Sequence, residues 1–326
     1  MLTNAGCVII GRNEGERLTR CLESVYKAFS QVVYVDSGST DRSAEKAEAF
    51  GAQVVNLDMN KPFTAARARN EGFTQLCQAQ PDLDYVQFID GDCELVTSWP
   101  EAAKAFLDDN PNVAVVCGRR RERYPEASIY NRLCDIEWNT PVGKATACGG
   151  DALMRIDALQ KVDAYNANLI AGEEPEMCLR LRMQGWQIYR LDEEMTLHDA
   201  AISRFGQWCK RGARGGYAYM RVFWLHRNSS VQIWKKNVLR TLVWAGLLPL
   251  LILLGIFTSQ HWLFLLLLLY PILFLKVYLR NPHLEKNLRF RFALYMVLIK
   301  FVEFQGMFKA VWELITHKQI RLMEYK

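Results

Sequence analysis

Residues 241–275 contain no Lys, Arg, Asp or Glu, and nothing else in the chain narrows its possible folds as sharply. A membrane-spanning helix needs about 20 apolar residues. Thr258-Ser259-Gln260-His261 interrupts the run near its middle. With its flanks the run therefore supplies two short crossings, 238–257 and 262–279, joined as a hairpin. The competing reading is a buried helical pair in a soluble core, where chargeless runs of this length are rare. Lys276 and Arg280 stand where the second crossing leaves the hydrocarbon and can reach back to the interface.

Charge is distributed unevenly around the hairpin. No acidic residue occurs in 204–284, while Arg204, Lys210, Arg211, Arg214, Arg221, Arg227, Lys235, Lys236 and Arg240 follow one another. Such a block suits nucleic acid or an anionic membrane, and the hairpin behind it favours the membrane, so no nucleic-acid partner is expected. Arg280, Lys286, Arg289 and Arg291 lie beyond the hairpin. Basic residues on both flanks place those flanks on the cytoplasmic side of an inner membrane. The apolar stretch 292–315 is interrupted by Lys300, Glu303 and Lys309 and is followed by Lys318, Arg321 and Lys326. It reads as a re-entrant or interfacial helix rather than a third crossing. Trp208, Tyr217, Tyr219, Phe223 and Trp224 interleave with the basic residues of 201–237, as in helices lying in the headgroup layer.

The nine cysteines are scattered without a C-x-x-C pair, which is the pattern of free thiols in a reducing compartment. The apolar segment near the start is too short for a signal peptide.

Residues 1–200 read as one α/β domain. Cys7-Val8-Ile9-Ile10 is a buried strand, and Leu18, Cys21, Leu22, Val25 and Phe29 recur at helical spacing behind it. A second strand, 32–35, ends on Asp36. Ser37-Gly38-Ser39-Thr40-Asp41 then looks like a helix start, with small hydroxyls at the cap, Asp41 in the first turn and Gly51 closing that helix. Strand 53–57, helix 65–77 and strand 85–89 continue the alternation, which is the signature of parallel βαβ units. No G-x-G-x-x-G opens the first helix, which argues against a Rossmann dehydrogenase.

The strand 85–89 stops at Asp90-Gly91-Asp92. Open α/β sheets bind ligands at the carboxyl ends of such strands. Two carboxylates flanking a glycine can turn toward one hard cation and the phosphates or ribose it carries. The plainer reading is an Asp-Gly turn. Farther on, 113–118 is another apolar run, GRRRER reads as a solvated loop, and 187–191 is a further strand.

VIIGRNEGERLTRCLESV, VVYVDSGSTDRS, AARARNEG, FIDGDCEL, ACGGDALMR and GEEPEMCLRLRMQGW occur in this order over about the first two hundred residues. The ordered set resembles the family 2 inverting glycosyltransferases of GT-A fold, an α/β nucleotide-diphospho-sugar transferase architecture with a mostly parallel sheet flanked by helices. One departure is Gly11, where such enzymes often carry proline. The resemblance implies a nucleotide-sugar donor and a divalent ion, Mn²⁺ or Mg²⁺. It implies that Asp36 contacts the nucleobase, that Asn13, Glu14 and Ser39 stand in the loops facing the nucleotide, and that Arg67 or Arg69 lies along it. Asp90 would approach the ribose or share the metal with Asp92, and His198 would complete the metal or diphosphate site. Gly149, Gly150 and Asp151 resemble the turn near the acceptor. Arg211 and Arg214 share a helical face suited to two phosphates, resembling an R-x-x-R-W element in which Gly215 replaces the Trp.

Gly172-Glu173-Glu174-Pro175-Glu176 resembles the family's Glu-Asp motif, with Glu174 in the Asp position. An inverting transfer needs one carboxylate to take the proton of the acceptor hydroxyl. Glu174 is assigned that role, with Glu173 as the alternative. Three acids favoured by a helix dipole explain the same composition. The expected activity is transfer of a sugar, from UDP, to a saccharide on polyprenyl diphosphate at the cytoplasmic membrane face, in cell-surface glycan or exopolysaccharide assembly. The rivals are a polyprenyl-phosphate sugar synthase, which needs no general base, and a membrane scaffold that keeps the fold without turnover.

Overall fold

The computed structural model describes residues 1–258 and 260–316. The basic tail at Lys318, Arg321 and Lys326 lies outside the described residues. The chain divides into two compact units, Met1–Ser203 and Arg204–Lys326.

In the first unit β1 (Ala5–Gly11), α1 (Glu16–Val25), β2 (Val32–Asp36), α2 (Ser43–Ala49), β3 (Gln53–Asn56), α3 (Ala65–Ala79) and β4 (Tyr85–Asp90) alternate. The sheet order is β3-β2-β1-β4, all parallel. β1 and β2 are apolar without alternation because helices cover both faces of the sheet. Register aligns Gly11 with Asp36 and Ile10 with Asp90, so the strands end on one carboxyl edge. Small residues Ala66, Ala68 and Gly72 let α3 lie close over the sheet. A Cβ at Gly72 would come within 2.5 Å of Val8 Cγ1.

The unit continues through β5 (Cys93–Leu95), α4 (Trp99–Asp109), β6 (Val113–Glu122), α5 (Ile129–Trp138), β7 (Gly143–Ala145), β8 (Ala152–Arg155), α6 (Ile156–Lys161), α7 (Glu173–Met183) and β9 (Gln187–His198). Beyond β4 the order is β8-β6-β9-β5, with β7 paired to β9. β8 is antiparallel to β4 and β6, while β6 and β9 run parallel. The result is the expected α/β sheet flanked by helices, parallel in its N-terminal half and mixed beyond. The nine cysteines are free thiols.

Three expectations need correction. The GRRRER stretch is the second half of β6 rather than a solvated loop. Its arginines are held by carboxylates, Arg119 by Asp135 at 3.0 Å and Arg121 by Glu194 at 2.6 Å. The strand after Gln187 runs on to His198, because 194–198 pairs with both β6 and β5. Asp41 stands before α2, where its carboxylate accepts from the N–H groups of Ser43 and Gly15 and ties the β2 loop to the β1 loop.

The second unit is helical: α8 (Phe205–Leu225), α9 (Lys235–Thr241), α10 (Leu248–Phe257), α11 (Leu269–Arg280) and α12 (Lys286–Thr316). A π-helical segment, Leu242–Leu247, joins α9 to α10, and a 3₁₀ segment, His261–Leu268, leads into α11. Lys235–Phe257 and His261–Arg280 are thus two helical stretches long and apolar enough to cross a membrane.

The residues 292–315 belong to one 31-residue helix, α12. It lies against α8 at backbone distance. A Cβ on Gly216 would fall 1.9 Å from Glu303 O, and one on Gly306 1.8 Å from Ala213 O. Glycine at both positions lets the helices meet, as in small-residue packing of membrane helices. Glu303 and Glu313 are buried on this side, accepting from Thr241 Oγ1 and the Tyr217 hydroxyl. Phe290, Leu294, Phe301, Phe308, Trp312 and Ile315 are exposed. At 3.6 residues per turn those six fall within about 60° of arc on the opposite side. The helix thus exposes an apolar stripe and buries two acids, Glu303 and Glu313, among Ala293, Gly306, Met307 and Ala310.

Candidate active site at the carboxyl edge of the sheet

Asp90 ends β4 between two guanidiniums. Arg69 Nη2 lies 2.8 Å from its Oδ1, and Arg120 Nη2 lies 3.5 Å from its Oδ2. Its backbone N–H donates to Asp151 Oδ1. Arg69 comes from α3 and is almost fully buried; Arg120 comes from β6 and sits over the Trp138 ring. Burial alone would lower the pKa of both guanidiniums, but the carboxylates around each outweigh it, so both pKa values rise and both groups are held as cations.

Glu173 and Glu174 open α7 and converge on the same Arg69, at 3.1 and 3.3 Å from Nη1. Glu173 is buried and accepts from Arg69, whereas Glu174 keeps 16% of its side chain exposed. Asp90, Asp151, Glu173 and Glu174 therefore stand against Arg69 and Arg120, an excess of negative charge. Burial first, and then the charge of Glu173, push the Glu174 carboxyl up to about 7, with Arg69 pulling the other way. A carboxyl poised there can accept a proton near neutral pH.

Asp92 turns away from this cluster. Its Oδ2 lies 3.4 Å from His198 Nε2, and its Oδ1 accepts from the Cys93 thiol. The donor atoms of Asp92, Cys93 and His198 lie within 4.8 Å of one another, a group able to hold a metal ion. Burial pushes the Cys93 thiol well above its ordinary range. Asp92 and His198 offer a carboxylate and an imidazole, a donor pair that suits Mn²⁺. His198 Nδ1 is buried without a hydrogen-bond partner. Asp90 groups instead with Cys93 and Asp151. The two acids of the Asp-Gly-Asp turn thus share Cys93 but otherwise face different neighbours.

The nucleotide-loop residues form one knot. Asn13, at φ 57°, donates its N–H to Ser39 Oγ and accepts from the Thr40 N–H. Asp36 is buried, with Oδ2 accepting from the N–H groups of Gly38 and Ser39 and Oδ1 from the Tyr34 hydroxyl. Glu14 pairs with Arg17 at 2.7 Å. Arg67 is drawn to the carbonyls of Asp58 and Pro62, at 2.5 and 2.8 Å, and clasps the loop before α3, unlike the buried Arg69.

Of the turn 149–151, Asp151 is fully buried, accepting from Thr196 Oγ1 at 2.8 Å and facing Arg120 at 2.8 Å. Gly150 lies against the charged cluster, where a Cβ would stand 2.6 Å from Arg69 Nη2 and 2.7 Å from Asp90 Oδ2. Gly149 has open space around it. Arg211 and Arg214 belong to α8 in the second unit. Sequence reasoning missed Arg120, Glu122 and Trp138. Within β6 Arg119 and Arg121 take one set of partners and Arg120 and Glu122 another, an alternation that a run of mixed charges does not display in the sequence.

Comparison with known proteins agrees with this geometry. The backbone superimposes on the mannosyltransferase PcManGT of Pyrobaculum calidifontis, solved with GDP-Man and Mn²⁺, with TM-score 0.63 at 14% identity over 95% of this chain and 87% of that one. The fold is therefore GT-A. The profile for "Glycosyl transferase family 2" matches residues 7–162 and that for "Glycosyl transferase family group 2" matches 134–279. Glycosyltransferase AglE of Haloferax volcanii is 25% identical over 230 residues, 67% of this chain and 73% of that protein. A TPR repeat-containing protein of Synechococcus elongatus is 31% identical over 136 residues, 41% of this chain and 31% of that protein. The chain belongs to glycosyltransferase family 2. Its activity is glycosyl transfer from a nucleotide-sugar donor.

Proposed function

We propose that the protein is an inverting, divalent-metal-dependent glycosyltransferase that moves a sugar from a nucleoside-diphosphate donor to a hydroxyl of a membrane-presented saccharide. A UDP-sugar is the donor to test first, and the acceptor is a saccharide on polyprenyl diphosphate at the cytoplasmic face of the inner membrane. The product would enter cell-surface glycan or exopolysaccharide assembly. The observation that carries this reading is the convergence of Asp90 and Glu174 on one guanidinium, with the Glu174 carboxyl held near neutrality.

In this reading Asp36, which a carboxylate's spare lone pairs leave able to accept once more, binds the nucleobase beside Asn13, Glu14 and Ser39. Asp90 faces the ribose. Asp92 and His198 would hold Mn²⁺ or Mg²⁺, which when bound neutralises charge growing on the departing diphosphate. Glu174 takes the acceptor proton as the hydroxyl attacks from the side opposite the leaving group. Glu173, the more buried of the two, keeps Arg69 in place. Gly149 and Gly150 leave room for the acceptor, and Arg211 and Arg214, on one face of α8, are suited to pairing with phosphates.

The membrane part of the proposal is supported by the stretches Lys235–Phe257 and His261–Arg280 and by the exposed apolar stripe of α12. Glu174→Gln tests the reaction. The variant should keep donor affinity and lose roughly 10²–10⁴-fold in transfer. Transfer left intact would point to a phosphate acceptor, which needs no base.

A further inference from the structure

Glu122 lies in the stretch whose composition reads as a solvated surface, yet it is 4% exposed. Its place in the sheet explains why. On three neighbouring strands Cys93 of β5 pairs with His198 of β9, and His198 pairs with Glu122 of β6. Directly paired residues point their side chains to the same face, so Glu122 and His198 lie side by side.

The Glu122 carboxylate is fixed by three donors. Oε1 accepts from Tyr124 N–H at 3.0 Å and Asn131 Nδ2 at 3.1 Å, and Oε2 accepts from Ala200 N–H at 3.0 Å. Oε2 also stands 4.0 Å from His198 Nδ1, the buried nitrogen without a hydrogen-bond partner. Across the ring, Nε2 faces Asp92 at 3.4 Å, while Trp138 meets the imidazole edge-on at 4.7 Å.

We infer that Glu122 is the positioning residue for His198, fixing the imidazole so that Nε2 is offered to a divalent cation beside Asp92. This rests on the metal reading above. A neutral imidazole has one N–H, and ligation through Nε2 requires the proton on Nδ1. Oε2 of Glu122 is the acceptor facing it. A shift of about 1 Å closes the 4.0 Å gap to a hydrogen bond. The carboxylate is prevented from swinging toward the cation itself by its bonds to Tyr124, Asn131 and Ala200. It therefore acts on the metal only through the ring.

The test is Mn²⁺ affinity of the full-length protein in detergent with UDP present, read from the electron paramagnetic resonance signal of free Mn²⁺. Glu122→Gln should weaken Mn²⁺ binding by roughly 10–100-fold and should weaken it no further in a His198→Ala background. Wild-type affinity in Glu122→Gln would overturn the inference. So would an equal loss with and without His198, which would mean that Glu122 serves the fold alone. If thermal melting without metal shows Glu122→Gln unfolded, Glu122→Asp carries the same cycle, because it keeps the charge but withdraws it from Nδ1. A wild-type protein that binds no Mn²⁺ would overturn the metal reading and this inference with it.

Discussion

Asp90 and Glu174 share a single guanidinium, with Arg69 Nη2 2.8 Å from Asp90 and Nη1 3.3 Å from Glu174. Residues far apart in sequence are thereby brought to within the width of one side chain. The arrangement ties the end of β4 to the start of α7, the two places where the proposed reaction uses carboxylates.

Arg69→Met should destabilise the protein by about 3–5 kcal/mol, because it leaves buried carboxylates without a cation. The loss should depend on pH in a defined direction. Without the guanidinium that pulls it down, the Glu174 carboxyl, already raised by burial and by Glu173, rises further above its unfolded value, so protonation favours the folded state. Denaturant melts should accordingly show the largest loss at pH 8 and a smaller one at pH 5. A loss independent of pH would mean that packing, and not charge, is what Arg69 supplies.

For Glu174 the sign runs the same way. Its folded pKa, about 7, stands above the ordinary carboxyl value. Ionisation therefore costs stability as pH rises from the unfolded value through about 7. As a base the group is active only when ionised, so kcat/KM should climb with pH through an apparent pKa near 7. Glu174→Gln should melt no lower than wild type at pH 8. A flat rate profile between pH 5.5 and 8.5 would remove Glu174 from the proton transfer.

Gly150→Ala places a methyl group against Arg69 Nη2 and Asp90 Oδ2. Overpacking of this kind costs roughly 1–3 kcal/mol. The variant should lose turnover more than it loses melting temperature, because the displaced groups are Asp90, proposed to face the ribose, and Arg69, which holds Glu174. Gly149→Ala, with open space around it, should be close to neutral in both measurements.

The parallel half of the sheet was legible in the sequence because β1, β2 and β4 are continuous apolar runs that each stop at the carboxyl edge, two of them on an acid. Glu174 was singled out by its motif, and the fold sets it 3.3 Å from Arg69 Nη1. What the sequence hid was pairing across strands. Arg120 and Glu122 look like surface charge until β8, β9 and α5 close over them, since a run of mixed charges has no hydrophobic period to mark it as a strand. The partition of Asp90 and Asp92 between two clusters was hidden for a similar reason. One glycine separates them in the chain, but β8 and β9 bring each a different set of neighbours. α12 posed the opposite difficulty, because Lys300, Glu303 and Lys309 obscure an apolar stripe that appears only when the helix is wound.

That stripe predicts contact with acyl chains. In nanodiscs, fluorophores attached at Phe301→Cys and Phe308→Cys should be quenched by lipids carrying nitroxides on their tails, and one at Ala310→Cys, on the buried side, should not. Disulfide-linked dimers through Phe301→Cys without lipid quenching would mean that a second copy covers the stripe.

The most direct test of the account is calorimetric titration of UDP into the full-length protein with Mn²⁺ and with chelator, for wild type and Asp92→Asn. Tight binding should require Mn²⁺ and should weaken by at least about tenfold in the variant. Equal affinity with chelator and in Asp92→Asn would contradict the placing of a cation between Asp92 and the donor diphosphate.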